Sequence, residues 1–124
     1  MSYLVLSLIL LTVTLSACAQ LALKLGVAQP SMANALNNGG GDALIAAFFS
    51  PLIWLGLIIY ALSVVMWIWV LSKVDLSVAY PFVGMGFIIT MIFGILVLNE
   101  NVTLMRVSGT TLIMIGCILV GRSA

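Results

Sequence analysis

The stretch PLIWLGLIIYALSVVMWIWVL, residues 51–71, decides the fold class of this chain. It carries no charged residue, and its length matches the roughly 20 apolar residues that a membrane-spanning helix needs. Ser50 is a typical N-cap residue, and Pro51 suits the first position of a helix. The stretch therefore predicts a transmembrane α-helix that begins at Pro51.

Three further apolar runs extend this pattern over the chain. We therefore predict an all-α integral membrane protein, a single domain over residues 1–124 with four transmembrane helices. The other three helices are expected at about residues 3–23, 77–98 and 103–121.

The connections between the predicted helices differ in length. The links at 72–75 and 99–102 are short, which implies an antiparallel bundle. Residues 26–49, rich in Gly and Asn, are predicted to form the one long loop. Within it, residues 43–49 are too short to span, and could lie in the membrane interface as a small helix.

The composition agrees with a membrane protein. Of the 124 residues, 65% are hydrophobic and 6% are charged, whereas a soluble domain carries about 25% charged residues. The net charge of +1 offers no basic surface for a nucleic acid. With no His, and with Cys18 and Cys117 far apart, we expect neither a metal nor a cofactor.

The N-terminus allows a second interpretation. LSAC, residues 15–18, resembles a bacterial lipoprotein cleavage box with Cys18 as the acylated residue. The opening MSY supplies no basic segment, which disfavours a signal peptide.

A row of polar side chains runs along the first predicted helix. Thr12, Ser16, Gln20 and Lys24 are spaced by four, so they share an arc of about 120°. Gln20 is too deep to reach water easily and needs a partner or a ligand. Lys24 is near the helix end, where it could hold a ligand or simply extend toward the interface.

The second and third helices present candidate cavity walls. Tyr60, Ser63 and Trp67 share one face of the second helix; plain packing and an aromatic belt at the interface are the alternatives. Tyr80 and Gly84 share a face of the third, near Pro81, which either begins or kinks that helix. The candidate substrate-binding residues are Ser16, Gln20, Lys24, Tyr60, Ser63, Trp67, Tyr80 and Gly84.

The fourth helix carries a packing signal. Gly109 and Gly116 are seven residues apart and so share a face. Small residues on a membrane helix typically mark a helix–helix contact. We therefore predict a dimer whose contact lies at these two glycines.

The ionisable residues do not form a catalytic constellation. There is no His base, no nucleophile beside a base and no plausible carboxylate pair. Glu100 is expected to be solvated, with Arg106 as a candidate partner. An enzyme is therefore not expected.

LSACAQLALKLG, DLSVAYPFVGMGFIIT and GILVLNENVTLMRVSGTTLIMIGCILV resemble the drug/metabolite transporter superfamily. The length resembles its EamA-like and small multidrug resistance members. Gln20 with Lys24, and VAYP at 78–81, are most similar to the small subunits that flip aminoarabinose-phosphoundecaprenol. The resemblance implies a transporter in the bacterial inner membrane. We expect its termini in the cytoplasm, although Lys73 and Arg122 on their side are balanced by Lys24 and Arg106 on the other, so that the positive-inside rule gives a tie.

One departure separates this chain from the multidrug exporters. Their first helix carries a glutamate eight residues before the lysine, and this chain has Ser16 there. The leading hypothesis is a flippase, or flippase subunit, for a polyprenyl-phosphate-linked sugar or another anionic lipid, acting as a homodimer or as a heterodimer with a paralogue. The alternatives are a multidrug exporter of the same fold and a non-transporting subunit that assembles a partner protein.

Overall fold

The computed structural model describes residues 2–123, and all the regular secondary structure in that range is helical. Four segments are long and apolar enough to cross a membrane: α1, α4, α5 to α6, and α7. The four predicted spans are therefore present. The elements are α1 (Tyr3–Ala28), α2 (Pro30–Asn38), α3 (Gly40–Phe49), α4 (Pro51–Leu71), α5 (Leu76–Ala79), a 3-10 turn (Tyr80–Phe82), α6 (Val83–Leu96) and α7 (Leu104–Ser123).

Three spanning helices begin with a side-chain cap; at the start of α7, the Thr103 hydroxyl accepts a hydrogen bond from the Arg106 N–H at 3.2 Å. The Ser2 hydroxyl accepts a hydrogen bond from the Val5 N–H at 3.3 Å, at the start of α1. The Ser50 hydroxyl accepts one from the Ile53 N–H at 3.5 Å, and Pro51 follows it at the first position of α4. These local signals fix where the three helices start because the first N–H groups of a helix lack internal partners.

The region 26–49 is helical where a loop was predicted, although the small helix expected at residues 43–49 is present within α3. The first helix continues to Ala28, and the rest of the region forms α2 and α3. Only two points interrupt the helical path: an extended Gln29 before Pro30, and Gly39 at φ +136°. The Asn and Ala residues between them are compatible with helix, so Gly and Asn content misled the sequence prediction.

Helix α1 is the centre of the bundle because it packs against both α4 and α6, while α7 packs on α6. Glycines permit the closest approach. A Cβ on Gly56 would lie 2.8 Å from Leu23 Cγ, and one on Gly26 would lie 2.7 Å from Ile53 Cγ1. The order of the spans across the molecule is thus α4, α1, α6, α7.

A small apolar core ties one end of the bundle together. Ile9, Val13, Val70 and Phe82 are all at most 5% exposed and form one cluster with Ala79. Phe82 also reaches α7, where a Cβ on Gly121 would lie 2.8 Å from its Cζ. This cluster joins the start of α1, the end of α4 and the end of α7, and we call it the termini end. The opposite end, with the start of α4 and the start of α7, is the distal end.

Pro81 does not begin the third span but lies inside it, at a 3-10 turn that interrupts the α-helix. Helix α5 precedes the proline, and the 3-10 turn connects α5 to α6. The Pro81 carbonyl accepts a hydrogen bond from the Cys117 thiol at 2.8 Å. One turn on, a Cβ on Gly84 would lie 2.5 Å from Ile113 Cγ2. The missing side chain at Gly84 lets α7 pack closely on the third span, and the Cys117–Pro81 hydrogen bond joins the two elements there.

Candidate functional site

A cleft runs between α4 and α7. Because α4 packs chiefly on α1 and α7 chiefly on α6, the two outer helices form its flanks and the two inner helices its floor. Its volume is about 920 Å³, and residues from all four spans line it. It is the natural place to seek a ligand in this molecule.

The polar row of α1 lies along the floor of this cleft. Thr12, Ser16, Gln20 and Lys24 all line it. The Thr12 hydroxyl donates to the Leu8 carbonyl at 2.7 Å, so its own helix satisfies it. Ser16 is half-buried, whereas Gln20 and Lys24 are exposed. Their amide and ammonium groups can therefore reach a ligand.

Helix α4 contributes one flank with three predicted residues. Tyr60, Ser63 and Trp67 line the cleft. The Ser63 hydroxyl donates to the Tyr60 carbonyl at 2.7 Å, and Ser63 is only 3% exposed. The two aromatic rings, rather than this hydroxyl, form the accessible surface of the flank.

The two remaining predicted residues, Tyr80 and Gly84, lie in the third span, and only one of them lines the cleft. Tyr80, on the 3-10 turn, lines the cleft. Gly84 is buried where α6 meets α7, beneath Ile113, and does not line it. Its missing side chain lets α6 and α7 pack closely. Residue spacing alone does not show whether a glycine on a helix face lines a cavity or contacts another helix.

The structure adds charged residues that the sequence had placed outside the site. Glu100 and Arg106 line the cleft, in addition to Lys24. All three lie toward the distal end, since Lys24 is near the end of α1 and the other two are near the start of α7. The sequence signal was weak because Glu100 lies in a connection and not in a span.

The turn after α6 positions Glu100. Its N–H donates to the Gly94 carbonyl at 2.9 Å, across a turn in which Asn99 has φ +52°. A Cβ on Gly94 would lie 2.6 Å from Glu100 Oε2, so the carboxylate lies against the bare surface of this glycine. Arg106 Nη1 donates to the Asn101 carbonyl at 3.4 Å.

The cleft is therefore graded along its length. Two cationic side chains and one carboxylate line its distal end. The rest is lined mainly by apolar and aromatic side chains such as Trp67 and Phe87, together with hydroxyl side chains such as Thr90. Such a surface suits an amphipathic molecule with a charged head. Among residues 2–123, no three His, Cys, Asp or Glu side chains are grouped as a metal site would require.

The two glycines of α7 are both open. Gly109 is at the edge of the cleft, and nothing lies within 4 Å of a Cβ built on Gly109 or on Gly116. Only 6% of the most apolar stretch of α7 is buried. This helix therefore presents an uncovered face that includes both residues.

Four apolar spans around a partly polar cleft define a multi-pass membrane transporter. The model of the EamA-like transporter family matches residues 2–122. Because the match covers nearly the whole chain, this chain belongs to that family.

Two curated relatives from different bacteria carry the same description. A Pseudomonas aeruginosa (strain UCBPP-PA14) protein is 30% identical over 118 residues, which is 95% of this chain and 97% of the relative. It is called a probable 4-amino-4-deoxy-L-arabinose-phosphoundecaprenol flippase subunit ArnE. An Enterobacter protein (strain 638) has the same description. It is 33% identical over 70 residues, which is 56% of this chain and 65% of that relative. No solved structure matches the chain.

Proposed function

We propose that this chain is a subunit of a flippase that moves a polyprenyl-phosphate-linked sugar, or a closely related anionic lipid, across the membrane. One observation carries the proposal: Lys24 and Gln20 project from the same helix into the distal end of the cleft. A lysine is a point donor suited to a phosphate, and an amide can donate to phosphate or sugar oxygens. An unpaired charge facing hydrocarbon would be costly, which favours an anionic ligand there.

The apolar remainder of the cleft suits the lipid chain. Tyr60 and Trp67 on one flank, and Ile113 on the other, leave a slot between two helices that do not close over it. A prenyl chain in this slot exchanges contacts with lipid tails for contacts with the protein, so its gain comes from van der Waals packing and not from removal of apolar surface from water. We infer that the head group binds at the distal end and the chain trails along the flanks.

The working unit that we propose is a dimer of antiparallel bundles. The contacts of Gly56 with Leu23, and of Gly26 with Ile53, support opposite directions for α1 and α4. The open face of α7 at Gly109 and Gly116 is suited to a second copy or a paralogue, since glycine lets helices approach closely. Two units that rock against each other could expose the cleft alternately to the two sides.

We further propose the bacterial inner membrane, with the termini in the cytoplasm. Counted along the sequence, Lys73 and Arg122 balance Lys24 and Arg106 on the two sides. Lys24 and Arg106 line the cleft, and in the proposed site they bind the ligand instead of the lipid headgroups. The remaining interfacial cations lie on the side of the termini, which the positive-inside rule assigns to the cytoplasm.

A second candidate function has one observation in its favour. Glu100 lines the cleft and could supply the carboxylate that a multidrug exporter needs in place of the glutamate missing at Ser16. Two cations share that end of the cleft, however, and they disfavour a cationic drug by Coulomb repulsion. We therefore place the exporter second and a non-transporting assembly subunit third.

The test of the proposed function compares lipid phosphate binding by lysine variants. Lys24→Met should weaken binding of undecaprenyl phosphate to the reconstituted protein by roughly tenfold or more, the equivalent of one charged hydrogen bond. Lys24→Arg should retain part of the binding. Lys73→Met, which removes a lysine outside the cleft, is the matched control and should bind as wild type does.

Three results would contradict the proposal. Equal binding by all variants would leave Lys24 as an interfacial anchor. Tighter binding of a cationic amphiphile than of the lipid phosphate would move the exporter to first place. Binding of neither ligand, by a chain that co-purifies with another membrane protein only when Lys24 is present, would favour the assembly subunit.

A further inference from the structure

We infer that Glu100 accepts a hydrogen bond from an ammonium group on the substrate head, so that the cleft selects lipid phosphates whose sugar also carries a positive charge. The inference rests on the proposed function, because it assumes that a lipid phosphate enters the cleft. It assigns a specificity role to a residue of the α6–α7 connection.

Backbone contacts within the α6–α7 connection hold Glu100 in its position. The left-handed Asn99 turns the chain back, and the Glu100 N–H bonds to the Gly94 carbonyl at 2.9 Å. Asn tolerates this conformation better than most residues with a side chain. The carboxylate then rests against Gly94, where any other residue would place a Cβ 2.6 Å from Oε2.

The neighbouring charges indicate what a ligand must carry. Lys24 from α1 and Arg106 from α7 line the same end of the cleft as Glu100. A purely anionic head would satisfy the two cations and would be repelled by the carboxylate. A head with a phosphate and an ammonium group matches both signs, and charge complementarity of this kind is how binding sites gain specificity.

The geometry of the turn leaves the carboxylate available. Arg106 donates through Nη1 to the Asn101 carbonyl at 3.4 Å, within the same connection. Glu100 is exposed in the cleft, so a ligand ammonium can approach it without opening the bundle. The Lys24 ammonium and the Glu100 carboxylate come from different elements that line the same cleft, and in this proposal one head group binds to both.

The experiment measures binding of three lipids to the full chain in nanodiscs. The lipids are undecaprenyl phosphate, an undecaprenyl-phosphate-linked amino sugar, and the same lipid with its amine acetylated. Wild type should bind the amino lipid roughly tenfold more tightly than the acetylated lipid, as expected for one charged hydrogen bond. Glu100→Gln should abolish this preference and leave binding of the acetylated lipid unchanged or stronger.

The matched control is Asp42→Asn, which removes another carboxylate at the distal end, in the first turn of α3 and outside the cleft. It should keep the full preference for the amino lipid. Lys24→Met serves as the reference for phosphate binding and should weaken all three lipids.

The possible failures are distinguishable. If wild type binds none of the three lipids, the proposed function fails, and the inference fails with it. If wild type binds all three equally and Glu100→Gln changes nothing, the proposed function stands and the role of Glu100 is overturned. If Glu100→Gln weakens all three lipids to the same extent, Glu100 only holds the cationic residues in place, which also overturns the inference.

Discussion

The charged end of the cleft depends on residues that carry no charge themselves. Gly94 has no side chain at the place where the Glu100 carboxylate rests, and Asn99 takes the left-handed conformation that turns Glu100 back. Neither residue contacts the proposed ligand. At the residue scale, the position of the Glu100 carboxylate therefore depends on the missing side chain of Gly94.

Gly94→Ala should separate the position of the carboxylate from its charge. The added Cβ meets the far end of a flexible side chain, so Glu100 can move aside without disturbing the backbone. Alanine is also favoured over glycine within a helix by about 1 kcal/mol. We therefore expect thermal stability in detergent to be unchanged or higher, with a severalfold loss of preference for the amino lipid. A variant that keeps the full preference would show that Gly94 does not position the carboxylate.

Helix α1 connects the parts of the molecule at the scale of elements. One side of α1 carries the polar row that lines the cleft, and another side packs against α4. The contact with α4 relies on Gly56, above which Leu23 and the Ala19 carbonyl leave no room for a side chain. The polar row and the packed face of α1 must therefore stay in register, because rotation of the helix would displace both.

Gly56→Ala tests this contact. A Cβ there would lie 2.8 Å from Leu23 Cγ and 3.1 Å from the Ala19 carbonyl oxygen, and the backbone oxygen cannot move away cheaply. We expect a loss of about 1–3 kcal/mol in stability, typical of an overpacked site. Gly41→Ala is the control, since nothing lies within 4 Å of its Cβ. Unfolding in a denaturing detergent should separate the two variants, and equal curves would show that α4 does not depend on Gly56.

The whole molecule leaves a large apolar surface uncovered. Only 6% of the most apolar stretch of α7 is buried, against 28% for α1. Lipid can cover such a helix, so exposure alone does not require a partner. The open glycines of α7 make a close helix contact available there, and the cleft borders the same face at Gly109.

Gly116→Leu should weaken the proposed dimer. A leucine on this face would hold two α7 helices apart and cost about 1–3 kcal/mol at a packed contact. Thr111→Leu adds similar bulk to an exposed position on another face of α7 and serves as the control. The measurement is the crosslinked fraction in native membranes. Equal crosslinking of both variants would place the contact on another helix.

The sequence by itself determined the number and place of the spans, because hydropathy and helix capping are local properties that each segment carries alone. It also indicated the polar row of α1, since the spacing of Ser16, Gln20 and Lys24 follows from helix geometry. Only the tertiary structure decided which helices flank the cleft, that Gly84 packs under α7, and that Glu100 and Arg106 join Lys24. Those outcomes depend on how separate segments pack against one another. The spacing of residues within one segment does not show which charged residues of other segments will lie near it.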